Sequence, residues 1–468
     1  MRSRTVLLFP GLGAYSAGML RQANRTHPQI SEVFKEIDTV AVEYGVPALS
    51  ELLFEQSPSV QEMLGRRAEV MQLAIFGGSV AVHRVLAEGG VEPVALVGHS
   101  FGEIAALVAG GAFSLADGAR LVCARTAALV EFEGNGAMAA VATHESVARH
   151  LMGVLDDSDL VIGCYNAPRQ TVLSGPVGDI ERAESVARAL NLSCTRLNLP
   201  YASHHPSMRA AVDRFTELAR EVRQQPLRDR VVSPVHGRRY TDDDDLVRLL
   251  GECLVLPVRF TDAVRSLHAR GADTFIETGA MRALTRCVQL TVPAVRTFAP
   301  LEDPEREPEA LREAVAAGRG QAAPVEPAQP AESMESNEST EFAQDTEPAR
   351  PVDPAVHERI AQGTAPDPAP DTVSAPDPQQ VASREQVLER LRELYAAALE
   401  YPPDVLTEDA RFEADLGVDS LKQTALLRRV VEEFDLGDAP GSLNLSTFET
   451  LSDVAEHVLA KPARGASS

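Results

Sequence analysis

The sequence predicts an α/β domain built on a mainly parallel sheet, with a ferredoxin-like insert, then a tether and a small C-terminal helical bundle. Three observations carry that reading. Across residues 1 to about 301, short β-rich runs (TVLLF, ALVGHS, LVIGCYN, TVLSG, DTFIET) alternate with longer amphipathic stretches such as IAALVAGGAFSLADGARLVCARTAALV. Within them, about 136–199 reads strand, helix, strand, strand, helix, strand. Near residue 302 the composition shifts to Pro, Ala, Glu and Asp, and near 383 helical periodicity returns.

Taking the elements in order, TVLLF follows Arg2 and Arg4 but meets Pro10 after five residues, so it is a buried first strand rather than a secretion signal. ALVGHS is the next strand of the parallel sheet. GAMAAVA, LVIGCYN, TVLSG and CTRLNL are the insert's four strands. Residues 302–382, with PVEPAQPAESMESNESTEF and TAPDPAPDTVSAPDPQQ, hold too little apolar surface to offset the entropy of ordering. Proline and like charge make that segment an extended, semi-stiff tether. In residues 383–461, Val387, Leu391, Leu394 and Ala398 share one helical face, and two further apolar helical patterns follow Ser420 and Leu451. Residues 462–468 are a tail.

Charge narrows the partners. The chain of 468 residues carries a formal net charge of -24, which repels nucleic acid and anionic lipid and sets both aside. No apolar run reaches membrane-spanning length. The five cysteines (Cys123, Cys164, Cys194, Cys253 and Cys287) show neither paired nor metal-ligand spacing, so they read as reduced core thiols of a cytoplasmic protein, with no metal site.

The strongest chemical signal is VALVGHSFGEIAALVAGG, a strand, then G-x-S-x-G, then a helix. Two glycines allow the tight turn that sets Ser100 at a helix N-terminus, where free N–H groups and the helix dipole favour an oxyanion. The bare pattern also arises by chance; the strand before it and the helix after it argue against that. A serine nucleophile needs a base. Of eleven histidines, His27, His83 and His357 sit in helical or loop contexts and read as surface residues, whereas His204 and His205 follow a strand-like run in the turn NLPYASHHPSM. Arg125, in ARLVCARTAALV, stands on an otherwise apolar helix. It is either half of a partly buried salt bridge or a bidentate clamp for a carboxylate.

The extended elbow GHSFGE resembles that of malonyl-CoA:acyl-carrier-protein transacylases and polyketide-synthase acyltransferase domains. The resemblance covers residues 4–300 and includes FPGLG, QLAIFGGSVAV, NAPRQTVLSG, YASHHPSM, LPVRF and ETGAMRAL. It implies an acyltransferase fold with a hydrolase-like core. It makes Ser100 the nucleophile and His204 the base, the imidazole being oriented by a backbone carbonyl near Cys253 in place of an acid. It implies an oxyanion hole from the N–H groups of Phe101 and of Leu12, where the family usually has Gln. Arg125 stands where the family's carboxylate-binding arginine does, and Gln72, Asn166, Tyr201 and Ser203 fall in its acyl-binding blocks. The tetrapeptide Tyr201-Ala202-Ser203-His204 is associated with methylmalonyl in modular synthases, while Phe101 points the other way, so malonyl and methylmalonyl both stand.

FEADLGVDSLKQTALL resembles the attachment site of acyl carrier proteins, four-helix domains that carry 4'-phosphopantetheine on the serine of their DSL core, here Ser420. A helix N-cap serine has the same local appearance. The two resemblances together imply transfer of a malonyl-type group from acyl-CoA to a carrier thiol in polyketide or fatty-acid biosynthesis. A phosphopantetheinyl transferase and a separate ketosynthase would be partners. An acyl-hydrolase editing the carrier shares the elbow, and a docking scaffold on a degraded acyltransferase is the third reading.

Overall fold

A computed structural model describes residues 4–320, 384–399 and 450–460, with residues 407–408, 426–427, 429–430, 433–434 and 448 between the last two stretches. Two compact units divide between Asn337 and Glu338.

The first unit is built on a six-stranded sheet in the order β10-β9-β1-β2-β7-β8: Arg296–Phe298, Thr274–Glu277, Thr5–Phe9, Ala95–Gly98, Val231–Ser233 and Arg238–Arg239. Five strands run parallel and β8 closes antiparallel on β7. All of β1 and β2 is buried, which is why both read as unbroken apolar runs. Parallel neighbours end on the same edge, so the loops after β1 and β2 meet there.

The helix Ala68–Glu88 lies in this core against helices Pro28–Glu43 and Leu115–Leu129. At 21 residues it is long and apolar enough to cross a membrane, contrary to the sequence expectation, because its few polar positions are scattered through apolar ones. Yet 78% of its most apolar window is buried inside the protein, as befits a core helix.

Four strands form the second sheet, ordered β4-β5-β3-β6: Val161–Ala167, Gln170–Gly175, Ala137–Val141 and Cys194–Arg196. With helices Glu145–Val154 and Val177–Ala189 between the strands, this is the ferredoxin-like insert. Its core is separate, built from Ala139, Val141, Leu151, Ile162, Leu173 and Ile180.

The start of the tether needs correction. Residues from 302 onward were expected to be solvated chain, but Glu307–Gly318 is a helix packed on the first unit. Leu311 and Ala314 are fully buried, and the buried Glu307 carboxylate accepts the N–H groups of Leu20 and Ala23. The acidic, alanine-rich composition hid an apolar stripe that only a docked helix reveals. Residues 321–382 and the tail 462–468 lie outside the described residues.

The second unit is described by helices Arg384–Leu399 and Leu451–Ala460, which pack together. Val387, Leu388, Leu391, Tyr395, Leu451, Val454 and Val458 make its core with Leu426, Leu427, Val430 and Phe448, and Leu394 packs against it. Ala398 falls on the first of these helices with its side chain outside what is described, and Ser420 lies outside the described residues.

Residues 302–320 therefore belong to the first unit's stability. A chain ending after residue 301 should lose at least about 3 kcal/mol relative to one ending after residue 320, from the exposed face that Leu311 and Ala314 cover. Calorimetry should show a melting temperature lower by about 5 °C or more. Equal melting temperatures would contradict the packing.

Candidate active site

The strand-to-helix turn after β2 leaves no space for side chains on its flanking glycines. A Cβ on Gly98 would lie 2.3 Å from Glu103 Cα, and one on Gly102 would lie 2.1 Å from the Phe9 carbonyl oxygen. Between them Ser100 takes φ 53°, a left-handed conformation that few non-glycine residues adopt. The turn sets Ser100 just before the helix Gly102–Ala109, beside the loop after β1, where His99 N–H donates to the Phe9 carbonyl at 2.9 Å. Neither the Leu12 nor the Phe101 N–H is taken by a backbone acceptor among the described residues, so both stay available to an oxyanion.

Ser100 Oγ lies 2.8 Å from His204 Nε2. His204 Nδ1 faces the Leu256 carbonyl at 2.9 Å, and a carbonyl can only accept. Nδ1 therefore carries the proton, and Nε2 offers its lone pair to the serine hydroxyl. The orienting carbonyl expected near Cys253 is Leu256's, on the stretch that follows helix Leu246–Glu252, and the Cys253 backbone also hydrogen-bonds the imidazole. His204 also has positive φ, 63°, and its N–H donates to Leu254 O at 2.7 Å. The insert braces both sides of the base. Val258 N–H donates to Gly163 O and Tyr165 N–H to Val258 O, each at 2.8 Å, while Ser174 Oγ donates to Ser203 O at 2.6 Å. His205 turns away: its Nε2 meets Asp159 O at 2.9 Å and its Nδ1 meets Ser207 Oγ at 2.8 Å.

Burial pushes the His204 imidazole down to about 3; His99 and Arg125 push the same way, and the Leu256 hydrogen bond opposes them. The ring is therefore neutral and ready to accept a proton. His99 is also lowered by burial, with its Nε2 2.8 Å from Asn166 Oδ1, so Asn166 holds His99. His83, expected on the surface, is half-buried against Phe9 and lowered to about 4 by burial.

Arg125 is 6% exposed on helix Leu115–Leu129, and its guanidinium lies over the Phe101 ring, 5.5 Å from the centroid. Its Nη1 is buried with no hydrogen-bond partner, and among the described residues no carboxylate pairs with it. A desolvated, unpaired cation next to a nucleophile is costly unless something anionic binds there. Burial raises the Tyr201 hydroxyl, while Arg125 beside it pulls the other way. Gln72 Oε1 and Ser203 Oγ are likewise buried without partners. The sequence placed the orienting carbonyl only as near Cys253 and missed two features: the His99–Asn166 pair and a buried cluster around Glu103. Backbone acceptors and long-range side-chain pairs leave no local pattern.

A serine at a strained strand-to-helix turn, a carbonyl-oriented histidine and two open amides on an α/β core are the arrangement that nucleophilic serine chemistry requires. Residues 6–323 match the acyl transferase domain, and residues 389–458 match the phosphopantetheine attachment site domain. The chain belongs to the acyl transferase domain family, is an acyltransferase, and carries a domain for covalent 4'-phosphopantetheine. Among solved structures, it is similar to the acyltransferase domain from the second module of the salinomycin polyketide synthase (30% identity, TM-score 0.61, covering 69% of this chain and 75% of that one). It is also similar to malonyl-CoA:acyl carrier protein transacylase from Xanthomonas oryzae pv. oryzae (30% identity, TM-score 0.60, 67% and 98% covered). Polyketide synthase GfsA of Streptomyces halstedii is 32% identical over 283 residues, 60% of this chain and 4% of that protein. Erythronolide synthase EryA2 of Saccharopolyspora erythraea is 31% identical over 287 residues, 61% and 8%. The chain thus spans a small fraction of those synthases.

The lowered histidines set the pH response. Ser100 acylation should stay flat from about pH 8 to about pH 5, with no inflection near the ordinary imidazole value of about 6.5. The unfolded chain binds protons at His83, His99 and His204 below that value while the folded chain does not. Each of these histidines therefore takes stability away as pH drops below about 6.5, by up to about 1.4 kcal/mol per pH unit, while the buried Glu277 and Glu307 carboxyls, raised to about 7, bind protons first in the folded chain and offset part of that loss. Stopped-flow acylation and urea melts across this range check both, and an acylation inflection near 6.5 would contradict a buried neutral base.

Proposed function

We propose that Ser100 takes a malonyl-type acyl group, malonyl or methylmalonyl, from coenzyme A and that the chain delivers it to the carrier thiol held through Ser420. The observation that carries this reading is Arg125, a buried guanidinium whose Nη1 lacks a partner and which packs on the residue next to the nucleophile. A dicarboxylic half-thioester supplies the free carboxylate such a cation needs; a simple ester or fatty acyl group does not. Gln72, Tyr201, Ser203 and Asn166 are the remaining acyl-site residues. Ser203, directly before the base, leaves space for an α-substituent that a larger side chain would fill.

In the first half-reaction His204 Nε2 takes the Ser100 proton as Oγ attacks the thioester carbonyl. The Leu12 and Phe101 N–H groups stabilise the oxyanion, and His204 returns the proton to the departing thiolate. Binding of the acyl carboxylate neutralises Arg125, which removes one of the charges that depress His204 and so eases formation of the imidazolium. In the second half-reaction His204 deprotonates the incoming carrier thiol, and the acyl group leaves Ser100 with the proton restored to Oγ. A pantetheine arm supplies the acceptor thiol; Ser420 is its proposed attachment point. The flanking segment from 321 to 382 is the proposed tether, condensation falls to a ketosynthase, and a phosphopantetheinyl transferase loads Ser420, all in the cytoplasm. Hydrolytic editing has less support, since among the described residues no carboxylate meets His204 as the acid of a hydrolase would, and the Arg125 cation has no role with a neutral ester.

Arg125→Ala should lower kcat/KM for malonyl-type donors by about 2–5 kcal/mol, the cost of leaving one member of a buried charge pair unpaired. Acetyl-CoA use should hold or rise. Parallel measurements with a panel of acyl-CoAs, read by intact mass on the holo protein, test this; equal loss for both donors would make Arg125 structural.

A further inference from the structure

Three residues past the nucleophile, Glu103 is fully buried, and acyl transfer has no direct use for a carboxylate there. Its two oxygens gather donors from two distant segments. Ser233 Oγ at the end of β7 donates to Oε1 at 2.7 Å, Tyr240 Oη donates to Oε2, and the Cys253 thiol lies 3.5 Å from Oε2 as a weaker donor. Ser233 Oγ in turn accepts the His236 N–H at 3.0 Å, and His236 Nε2 meets Leu249 O at 3.1 Å on the helix that leads into Cys253. Burial raises the Glu103 carboxyl, and these hydrogen bonds oppose the shift.

Cys253 begins the stretch that holds the base. The next carbonyl, Leu254, takes the His204 N–H, and Leu256 takes Nδ1–H. One helical turn links Ser100 to Glu103, and three residues link Cys253 to Leu256. The 2.8 Å contact from Ser100 Oγ to His204 Nε2 closes the circuit. We propose that Glu103 is a positioning residue whose hydrogen bonds to Ser233, Tyr240 and Cys253 fix the Leu254–Leu256 carbonyls, and through them the His204 ring, relative to Ser100. The inference rests on the reading of Ser100 and His204 as the reacting pair. A buried carboxylate with three donors on two segments makes a short, directional strut, whereas apolar packing at this place tolerates sliding. Loss of register by about 1 Å at a reacting pair costs on the order of 100-fold in rate.

The test compares Glu103→Gln and Tyr240→Phe with the parent, using the full chain. Four quantities are measured: the melting temperature, kcat and KM with malonyl-CoA, and the rate at which a fluorophosphonate labels Ser100. Glu103→Gln turns one acceptor into a donor facing donors, so kcat and labelling should fall together, about 10- to 100-fold, with KM unchanged. Tyr240→Phe removes one donor and keeps the shape; it should show a smaller fall in the same two rates at a nearly parental melting temperature. Three results overturn the proposal: parental labelling in either folded variant, a raised KM with unchanged kcat, or a rate loss no larger than the loss of folded protein. Tyr240→Phe carries the test if Glu103→Gln does not fold. Fluorophosphonate labelling reads Ser100 reactivity whatever acyl group the enzyme prefers, so failure of the malonyl reading is seen separately.

Discussion

The structure around the site depends on the crowding of the turn between β2 and its helix. Gly98 and Gly102 are pressed against backbone atoms of Glu103 and Phe9 so closely that neither tolerates a Cβ. That contact forces Ser100 to positive φ, lifts its hydroxyl clear of the sheet edge and brings the β1 loop alongside. Two amides are left open as a result. The strain is on the order of 1–3 kcal/mol and persists because the parallel pairing of β1 and β2 over-determines the turn.

The base is held by quite different means. His204 sits in a loop, also at positive φ, and its position comes from carbonyls of Leu254 and Leu256 together with the insert's β4 and β5. The ferredoxin-like insert thus has a direct part in the site: the edge strand β4, through Val258, and the Ser174 hydroxyl of β5 lock the two loops that flank the imidazole. A neutral carbonyl stabilises an imidazolium less than a carboxylate does, and burial pushes His204 well down. In the proposed reaction a negative acyl group drawn to Arg125 compensates, and the guanidinium's desolvation makes that attraction strong.

Much of this was legible in the sequence for physical reasons. Apolar runs such as TVLLF and ALVG announce strands buried on both faces, and the β-α-β-β-α-β order of the insert follows from local periodicity alone. G-x-S-x-G is readable because a steric constraint needs glycine at fixed spacing. The choice of His204 over His205 rested on resemblance, and the geometry supplies a physical counterpart, since His205 is taken by Asp159 and Ser207. What stayed hidden depends on contacts distant in sequence. Leu256 acts through its backbone, so its side chain says nothing. Glu103 meets Ser233, Tyr240 and Cys253 at separations of 130 or more positions. The helix Glu307–Gly318 was lost in an acidic, alanine-rich stretch whose apolar face is narrow.

The central claim is that the acyl group passes through Ser100 on its way to Ser420. Rapid mixing of holo protein with labelled malonyl-CoA, followed by acid quench and peptide mapping, tests it most directly. The account predicts label on the peptide containing Ser100 first and on the Ser420 peptide later, the second rising as the first declines. Label reaching the Ser420 peptide without ever occupying Ser100, at the same rate in Ser100→Ala, would contradict it.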